Sequence, residues 1–471
     1  MLKRFRSKAN TTDESVSASE VERLGEVVLA SAALVVIDFG LLGDWSHHEP
    51  PRGHFGDPEL DASVEAASDL EIVGPDAVAV SSRLDLASSR GTFVFDVPPD
   101  GAGAVRSKVE AICRDAGFEA AVEEIPRMPH GERVRQLLRQ HPDGVEVPFA
   151  GPSAVAVDGF PTGRPFEVFG TRMPADSPDA GRWRSVWLEV EPGRPVRQSV
   201  QVGHVLVDAA RLMFCDAEAL GAWNHDEPSD GLFDVVFWGR DAERVAASMD
   251  APLQQASGDR TYGWVDIEED GARNVWRQLS KLRDGGEAKF AFDVRPHSDH
   301  YRLLAAARNT PTESAGLDVG DGRVVGFFTS WGDGAFPVFR DLDDAGSLVR
   351  VRVELGCDAI VTRTRRFELL WFGELSHLAF VSARVARDGL PIGYMYREPT
   401  DRENHSGWCL LAGNETDEYL DDAQNVVLMP LRDVIASAPD IEKLLSVLAP
   451  VAFRRGDGGD FVVCPMPEPR A

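Results

Sequence analysis

The chain alternates short apolar runs with turn residues, a pattern that predicts β-strands more often than long helices. Val27–Leu29 and Leu34–Ile37 are such runs, rich in β-branched residues, and the small residues between them fit a hairpin or two adjacent buried strands. Arg323–Ser330 is a third run. Ser347–Leu355 alternates with period two, as a half-exposed strand does. These segments predict a sheet-rich fold.

The strongest feature of the sequence is an internal repeat. Residues 24–53 align without a gap with residues 202–231, at an offset of 202 − 24 = 178, and twelve of the thirty positions are identical. The identical pairs include Gly25/Gly203, Asp38/Asp216, Trp45/Trp223, His47/His225 and Pro50/Pro228. A second block, 93–105, aligns with 263–275 at an offset of 170. Two blocks in the same order, separated by a domain-sized interval, predict a duplicated domain.

Helical patterns are fewer, and the clearest pair occurs at equivalent places in the two copies. Val105–Ala116 and Ala272–Leu282 each follow an Asp-Gly turn. We therefore expect each copy to be a mainly β domain with few helices, within the α+β class.

The C-terminal part has a different pattern. Phe380–Val385 and Ile392–Tyr396 flank a turn and predict a hairpin, and Trp408–Leu411 and Val426–Met429 predict further strands. Pro439 predicts the start of a helix. Its apolar face would carry Ile441, Leu444, Leu445 and Leu448. A turn between Phe453 and the run 461–463 closes the segment, which is predicted to be a small α+β domain.

These patterns divide the chain into five segments. The predicted segments are a flexible tail at 1–20, a first copy at 21–195, a second copy at 196–356, a linker at 357–378 and a C-terminal domain at 379–467.

Charge and cysteine usage exclude several classes of function. The chain has 49 Lys+Arg against 77 Asp+Glu, a formal net charge of −28, which argues against nucleic-acid and anionic-membrane partners. Five scattered cysteines without a CxxC pair fit reduced thiols. No apolar signal region follows Met1, and the longest apolar stretch, Val27–Leu42, is short and interrupted by Asp38. We expect a cytoplasmic protein.

The C-terminal segment resembles a known family. Its motifs are Gly393–Glu398, Ser406–Trp408, Gly413–Asp422 and Ala452–Arg455. Together they resemble the immunity protein 33 family, formerly domain of unknown function 2185, over about residues 380–465, with Asn414 where an acidic residue is usual. This resemblance implies a bacterial protein of the kind encoded beside polymorphic toxins, which it would neutralise by binding in the producing cell.

The middle segment carries a second resemblance. Gly203–Val207, Asp216 and Ser330–Val338 look like domain-of-unknown-function family 4241, whose hallmark Gly-Asp-Gly corner is present here, with Phe336 in place of the more usual Tyr. The first copy reads FGTRMPAD at Phe169–Asp176 and lacks the corner, so it resembles a diverged copy. This family implies no known chemistry.

An acidic cluster is the first candidate site. Five carboxylates lie within eight residues, with two aromatic side chains as possible anchors: Glu415, Asp417, Glu418, Asp421 and Asp422, with Tyr419 and Trp408. An acidic face with aromatic anchors is what a basic toxin domain would require of its partner. The competing interpretation is a solvated charged surface.

The Gly-Asp-Gly corner is the second candidate. Trp331, Gly332, Asp333 and Gly334 could form a ligand loop, because glycines let a ligand approach the backbone and Asp333 offers a carboxylate. The alternative, which we favour, is a tight hairpin turn with Trp331 covering one end of the core.

Histidines near the repeat suggest metal ligands, but the pattern favours structural roles. His48-Glu49 is followed by two prolines and lacks the second histidine of a zincin motif. Trp223 and His225, like their counterparts in the first copy, are predicted to form a capped loop packed on the sheet. His297 and His300 have no obvious partner cluster in the sequence and are predicted to lie in a solvated loop.

No nucleophile elbow, P-loop, dinucleotide-binding loop or paired metal-ligand motif occurs, so the sequence predicts no cofactor and no metal. The main hypothesis is a non-catalytic immunity protein that binds a basic toxin domain. The alternative is an enzyme or small-ligand sensor in which Asp216, His225 and Asp333 converge in one pocket.

Overall fold

The computed structural model describes residues 21–52, 57–86, 88–149, 153–255, 260–286, 288–402, 404–456 and 458–467. The predicted tail at 1–20 lies outside these residues. The chain forms two compact units, unit 1 ending at Cys357 and unit 2 beginning at Asp358.

Among the described residues, the first half of unit 1 contains ten strands and four helices. The strands are β1 Val21–Val28, β2 Leu34–Ile37, β3 Ser68–Val73, β4 Ser89–Arg90, β5 Phe93–Val97, β6 Ala121–Ile125, β7 Val145–Pro148, β8 Ser153–Val157, β9 Pro165–Arg172 and β10 Trp183–Glu189. The helices are α1 Pro58–Glu65, α2 Ala77–Ser81, α3 Ala102–Ala116 and α4 His130–Gln140.

The second half repeats this order closely. Its strands are β11 Gln198–Val207, β12 Arg211–Asp216, β13 Leu232–Trp238, β14 Leu253–Gln255, β15 Thr261–Glu268, β16 Ala291–Pro296, β17 Ser314–Val319, β18 Gly322–Phe328, β19 Gly334–Leu342 and β20 Leu348–Glu354. Its helices are α5 Ala242–Met249, α6 Glu269–Asp284 and α7 Asp299–Arg308.

Strands from both halves interleave in one twelve-stranded sheet. The order is β11-β19-β20-β10-β9-β1-β18-β12-β2-β8-β7, with β17 also paired to β18. The pairs β10–β20 and β2–β12 each join equivalent strands of the two halves, in antiparallel register. Leu34–Ile37 is buried at every position, which explains why this strand reads as a continuous apolar run.

Each half also has a four-stranded sheet of its own. The orders are β4-β5-β3-β6 and β14-β15-β13-β16. Each small sheet has a separate core, formed with α2 and α3 in the first half and with α5 and α6 in the second. The helices predicted after the paired Asp-Gly turns are present as α3 and α6.

Unit 2 is built on one six-stranded sheet. Its elements are α8 Asp358–Trp371, β21 Leu378–Ser382, α9 Ala383–Ala386, β22 Tyr394–Arg397, β23 His405–Leu411, α10 Asp417–Asp421, β24 Val426–Pro430, α11 Leu431–Ser437, β25 Val451–Arg455 and β26 Phe461–Cys464. The strand order is β24-β21-β23-β22-β25-β26. The α+β class predicted from the sequence is confirmed.

Several local predictions differ from the structure. The runs Val27–Leu29 and Leu34–Ile37 form neither a hairpin nor adjacent strands, because β18 and β12 lie between β1 and β2 in the sheet. His300, expected in a solvated loop, is buried on α7. The hairpin expected between Phe380 and Tyr396 is wrong: β21 pairs with β23 in parallel and with β24, because α9 follows β21 directly and carries the chain away. The Gly-Asp-Gly corner is not a hairpin turn, since β18 and β19 do not pair with each other. Pro439 begins a short 3₁₀ helix that ends at Leu444.

In the described part of the chain, no helix is long and apolar enough to cross a membrane.

Candidate functional site

Asp216 is a structural residue at the junction of the two halves. Its side chain is fully buried. One carboxylate oxygen accepts hydrogen bonds from the N–H and the hydroxyl of Ser31, both at 2.8 Å, and the other accepts from the N–H groups of Glu218 and Ala219 at 2.9 and 3.0 Å. Four donors thus occupy both oxygens, and the carboxylate holds two loops together.

Trp223 and His225 form the loop contact expected from the repeat. Trp223 Nε1 donates to His225 Nδ1 at 3.2 Å, and the His225 ring stacks on His300 with centroids 4.1 Å apart. Burial lowers the pKa of His225. In the first half, Trp45 Nε1 faces His47 Nδ1 in the same way, at 3.4 Å.

A cleft of about 410 Å³ lies beside His225. Its lining residues are Gly40, Leu41, Gly43, Asp44, His225 and Asp226. Neither Asp216 nor Asp333 lines it. The pocket expected from Asp216, His225 and Asp333 is therefore not assembled around this cleft.

The Gly-Asp-Gly corner lies between β18 and β19, two strands of the large sheet. Trp331 is 3% exposed, and its Nε1 donates to the carbonyl of Trp183 at 2.6 Å. Gly332 has φ +71°, a left-handed conformation that favours glycine. Asp333 is exposed and accepts a hydrogen bond from the N–H of Ala210 at 3.0 Å, and Gly334 begins β19. Trp331 is therefore a buried residue, and Asp333 fixes the neighbouring loop.

The acidic cluster of unit 2 lies on a short helix at the surface. Thr416 caps α10, its hydroxyl accepting a hydrogen bond from the N–H of Tyr419. The side chains of four acidic residues are exposed: Asp417, Glu418, Asp421 and Asp422. Tyr419 is half-buried, with the Arg384 guanidinium 4.5 Å from its ring centroid.

Glu415 faces inward, unlike the rest of the cluster. Its carboxylate accepts hydrogen bonds from the Ser382 hydroxyl at 2.6 Å and from the N–H groups of Ala412, Gly413 and Asn414 at 2.7, 2.8 and 3.1 Å. Burial raises the pKa of Glu415, but these hydrogen bonds, that from Ser382 first, outweigh it and lower the pKa. Glu415 therefore closes the loop that precedes α10.

Trp408 differs most from its predicted role as a surface anchor. It is fully buried, its Nε1 donates to the carbonyl of Leu445 at 3.3 Å, and its ring stacks on Phe453. Strand β23 lies inside the sheet, between β21 and β22, and alternation along it directs Trp408 into the core.

Sequence reasoning missed an exposed apolar residue on the strand that follows the acidic helix. Leu428 is 53% exposed on β24, which is an edge strand of the six-stranded sheet. The Asn425 amide donates to the carbonyl of Tyr419 at 2.9 Å and so ties the start of β24 to α10. We give the name acidic face to the four exposed carboxylates Asp417, Glu418, Asp421 and Asp422 together with the exposed Leu428 on the strand that follows them.

Comparison with known proteins identifies the C-terminal segment alone. Residues 379–464 match the family model described as the immunity protein Imm33 domain, which confirms the resemblance found in the sequence. The likeness of the middle segment to domain-of-unknown-function family 4241 stays a prediction. No curated protein and no solved structure gave a significant match to the chain.

Proposed function

We propose that this protein is a non-catalytic immunity protein that binds a toxin domain and occludes it in the cytoplasm of the producing cell. The match of residues 379–464 to the Imm33 domain is the observation that carries this proposal. Neutralisation by binding requires one surface of complementary shape and charge, and no reacting groups.

The acidic face is the surface we assign to this contact. Its four exposed carboxylates would steer a basic toxin domain into contact and raise the association rate. Leu428 would supply an apolar contact at the centre of the complex. As an edge strand of the six-stranded sheet among the described residues, β24 would offer backbone groups to an extended segment of the partner.

We assign no toxin contact to unit 1 in this proposal. We infer that its halves, 21–195 and 196–356, arose by duplication, because equivalent strands of the two halves pair at two places in the shared sheet. The interleaved strands make unit 1 a single compact unit.

Binding of the full chain to the toxin domain encoded by the neighbouring gene, measured by surface plasmon resonance, tests the proposal. The triple variant Glu418→Gln, Asp421→Asn, Asp422→Asn should lower the association rate by about tenfold at low salt. Leu428→Asp should mainly raise the dissociation rate.

The matched control neutralises three exposed carboxylates outside the acidic face, Glu268, Asp270 and Asp388. We expect its binding to equal that of the wild type. Absence of binding by the wild type would reject the immunity role. Equal loss in both triple variants would reject the acidic face as the contact surface.

A further inference from the structure

The loop at His297, expected from the sequence to be solvated and without partners, lies on a cluster of carboxylates. Asp234 is on β13, Asp266 is on β15 and His297 directly follows β16. His297 Nε2 lies 3.2 Å from Asp234 Oδ1 and 3.8 Å from Asp266 Oδ1. His297 Nδ1 lies 2.9 Å from Asp230 Oδ2. Both ring nitrogens therefore face carboxylate oxygens.

A β-bulge brings Asp234 and Asp266 together. The pairing of β13 with β15 slips between Phe233 and Val235. Asp266 has φ +55°, and its N–H donates to Asp234 Oδ1 at 3.0 Å. Bulges re-aim side chains, and this one directs both carboxylates to the same side of the strands.

The first half of unit 1 contains the same bulge, with Asp69 and Asp96 as the two carboxylates. Asp96 has φ +52°, and its N–H donates to Asp69 Oδ1 at 2.8 Å. Two guanidinium groups neutralise this pair. Arg127 Nε lies 2.7 Å from Asp96, and the fully buried Arg133 binds both oxygens of Asp96 at 2.7 Å and reaches Asp69 at 3.4 Å.

The second half keeps the carboxylates and loses both arginines. The offset of 170 places His297 at the position of Arg127 (127 + 170) and Leu303 at that of Arg133 (133 + 170). Among the described residues, no Arg or Lys forms a salt bridge with Asp234 or Asp266. The place that two cations fill in one half thus holds a single imidazole in the other.

The hydrogen-bonding capacity of this imidazole limits how many carboxylates it can serve when it is neutral. Neutral histidine has one N–H, so only one of its nitrogens can donate to a carboxylate. In the tautomer that donates from Nδ1 to Asp230, the Nε2 lone pair is directed at Asp234 and Asp266. A carboxylate–histidine pair of this kind orients histidine ligands in metal sites.

We propose that Asp234, Asp266 and His297 form a binding site for a divalent transition metal of the zinc class. His297 Nε2 and one oxygen from each aspartate would be the ligands, with water completing a tetrahedral set. The three ligand atoms lie within 4.8 Å of one another. Ligands about 2.1 Å from a tetrahedral Zn²⁺ are roughly 3.4 Å apart, close to the spacing found here.

The metal would replace the arginine clamp of the first half. It would tie β13 and β15 to the segment that joins β16 to α7, as Arg127 and Arg133 tie the equivalent elements. The expected role is therefore structural, with one coordination position open to solvent.

Titration of the chelator-treated full chain with Zn²⁺ alone, followed by calorimetry and by thermal unfolding, tests the proposal. We expect one Zn²⁺ per chain and a rise in the melting temperature. Asp234→Asn with Asp266→Asn should abolish both effects. Asp230→Asn should weaken binding by about 10–100-fold, as loss of an orienting carboxylate does.

His297→Arg is the sharpest variant, because it copies Arg127 and supplies the cation within the chain. This variant should fold but bind no Zn²⁺, and its melting temperature should be the same with and without Zn²⁺. The control, His204→Arg, alters another histidine beside a carboxylate, 3.6 Å from Glu146, and should bind Zn²⁺ like the wild type.

Two results would overturn the site. One is a wild-type chain that binds no Zn²⁺. That result would mean that His297 contacts the carboxylates as an imidazolium, with an N–H on each ring nitrogen. The other is binding that His297→Arg leaves unchanged. The absorption spectrum of the Co²⁺-loaded chain shows where the metal is bound in that case. A metal on the cysteines would give a thiolate charge-transfer band, and a metal at the proposed site would not.

Discussion

Asp38 and Asp216 each fasten a loop of the other half of unit 1. Asp38 Oδ2 accepts the N–H groups of Asp208 and Ala209, both at 2.8 Å, and Asp216 Oδ2 accepts the N–H of Ser31 at 2.8 Å. The repeat offset of 178 makes Asp216 the equivalent of Asp38 (216 − 38) and Ala209 the equivalent of Ser31 (209 − 31). The same hydrogen bond is therefore made once in each direction between the halves. The two halves are therefore locked by equivalent bonds made in opposite directions.

Removing one of these carboxylates should destabilise unit 1. Asp216→Ala leaves the N–H groups of Ser31, Glu218 and Ala219 without their acceptor, and we expect a loss of about 2–4 kcal/mol in the free energy of unfolding. Hydrogen exchange of peptides covering β1 and β2 should speed up, whereas peptides of unit 2 should not change. The control is Asp208→Ala, which removes an exposed side chain and keeps the backbone donor. Equal exchange in both variants would contradict the lock.

Unit 1 should lose stability in acid through its buried histidines. Burial, with smaller contributions from His225 and Arg211, lowers the pKa of His300 to about 3, and Arg211 donates to its Nε2 at 3.0 Å. The unfolded chain binds a proton near pH 6.5 and the folded chain does not, so the stability from this group is complete above that pH. It falls by about 1.4 kcal/mol per pH unit between 6.5 and 3.

Urea unfolding between pH 7 and pH 4 measures this loss. His300→Gln should give a shallower dependence on pH than the wild type, and the exposed His48→Gln should give the same dependence. If the free energy of unfolding of His300→Gln depends on pH as steeply as that of the wild type, groups other than His300 cause the loss of stability in acid.

Trp408 and Leu428 should respond in opposite ways to truncation. Trp408→Ala opens a cavity in the core of unit 2 and should cost about 3–5 kcal/mol of stability. Leu428→Ala removes an exposed side chain and should change stability by less than about 0.5 kcal/mol while weakening toxin binding. Thermal unfolding and surface plasmon resonance on both variants distinguish the two roles. Weaker binding by a stable Trp408→Ala would favour the surface role predicted from the sequence.

Glu415 and Glu418 make a second contrasting pair. Glu415→Ala removes the acceptor of four hydrogen bonds and should cost about 2–3 kcal/mol, with faster proteolysis of the loop before α10. Glu418→Ala changes an exposed residue and should leave stability near that of the wild type. Equal proteolysis of the two variants would remove the structural role assigned to Glu415.

Local sequence pattern determined much of this protein. Apolar runs such as Arg323–Ser330 and period-two alternation in Ser347–Leu355 predicted strands β18 and β20, because these signals depend only on neighbouring residues. The repeat predicted equivalent elements in two halves. Ordered motifs between Gly393 and Arg455 identified the immunity-type domain, later confirmed over 379–464.

Tertiary structure alone decided which strands pair and which side chains meet. Strand pairing links segments far apart in the chain, so no local signal could show that β1 pairs with β9 and β18 instead of β2. Burial of Trp408 follows from the interior position of β23, which its own sequence does not reveal. His297 meets Asp234 and Asp266 only because a bulge and three strands bring residues from distant positions together. Sequence determined the elements and the kind of domain, and long-range packing decided the sites, since a site requires distances that periodicity does not contain.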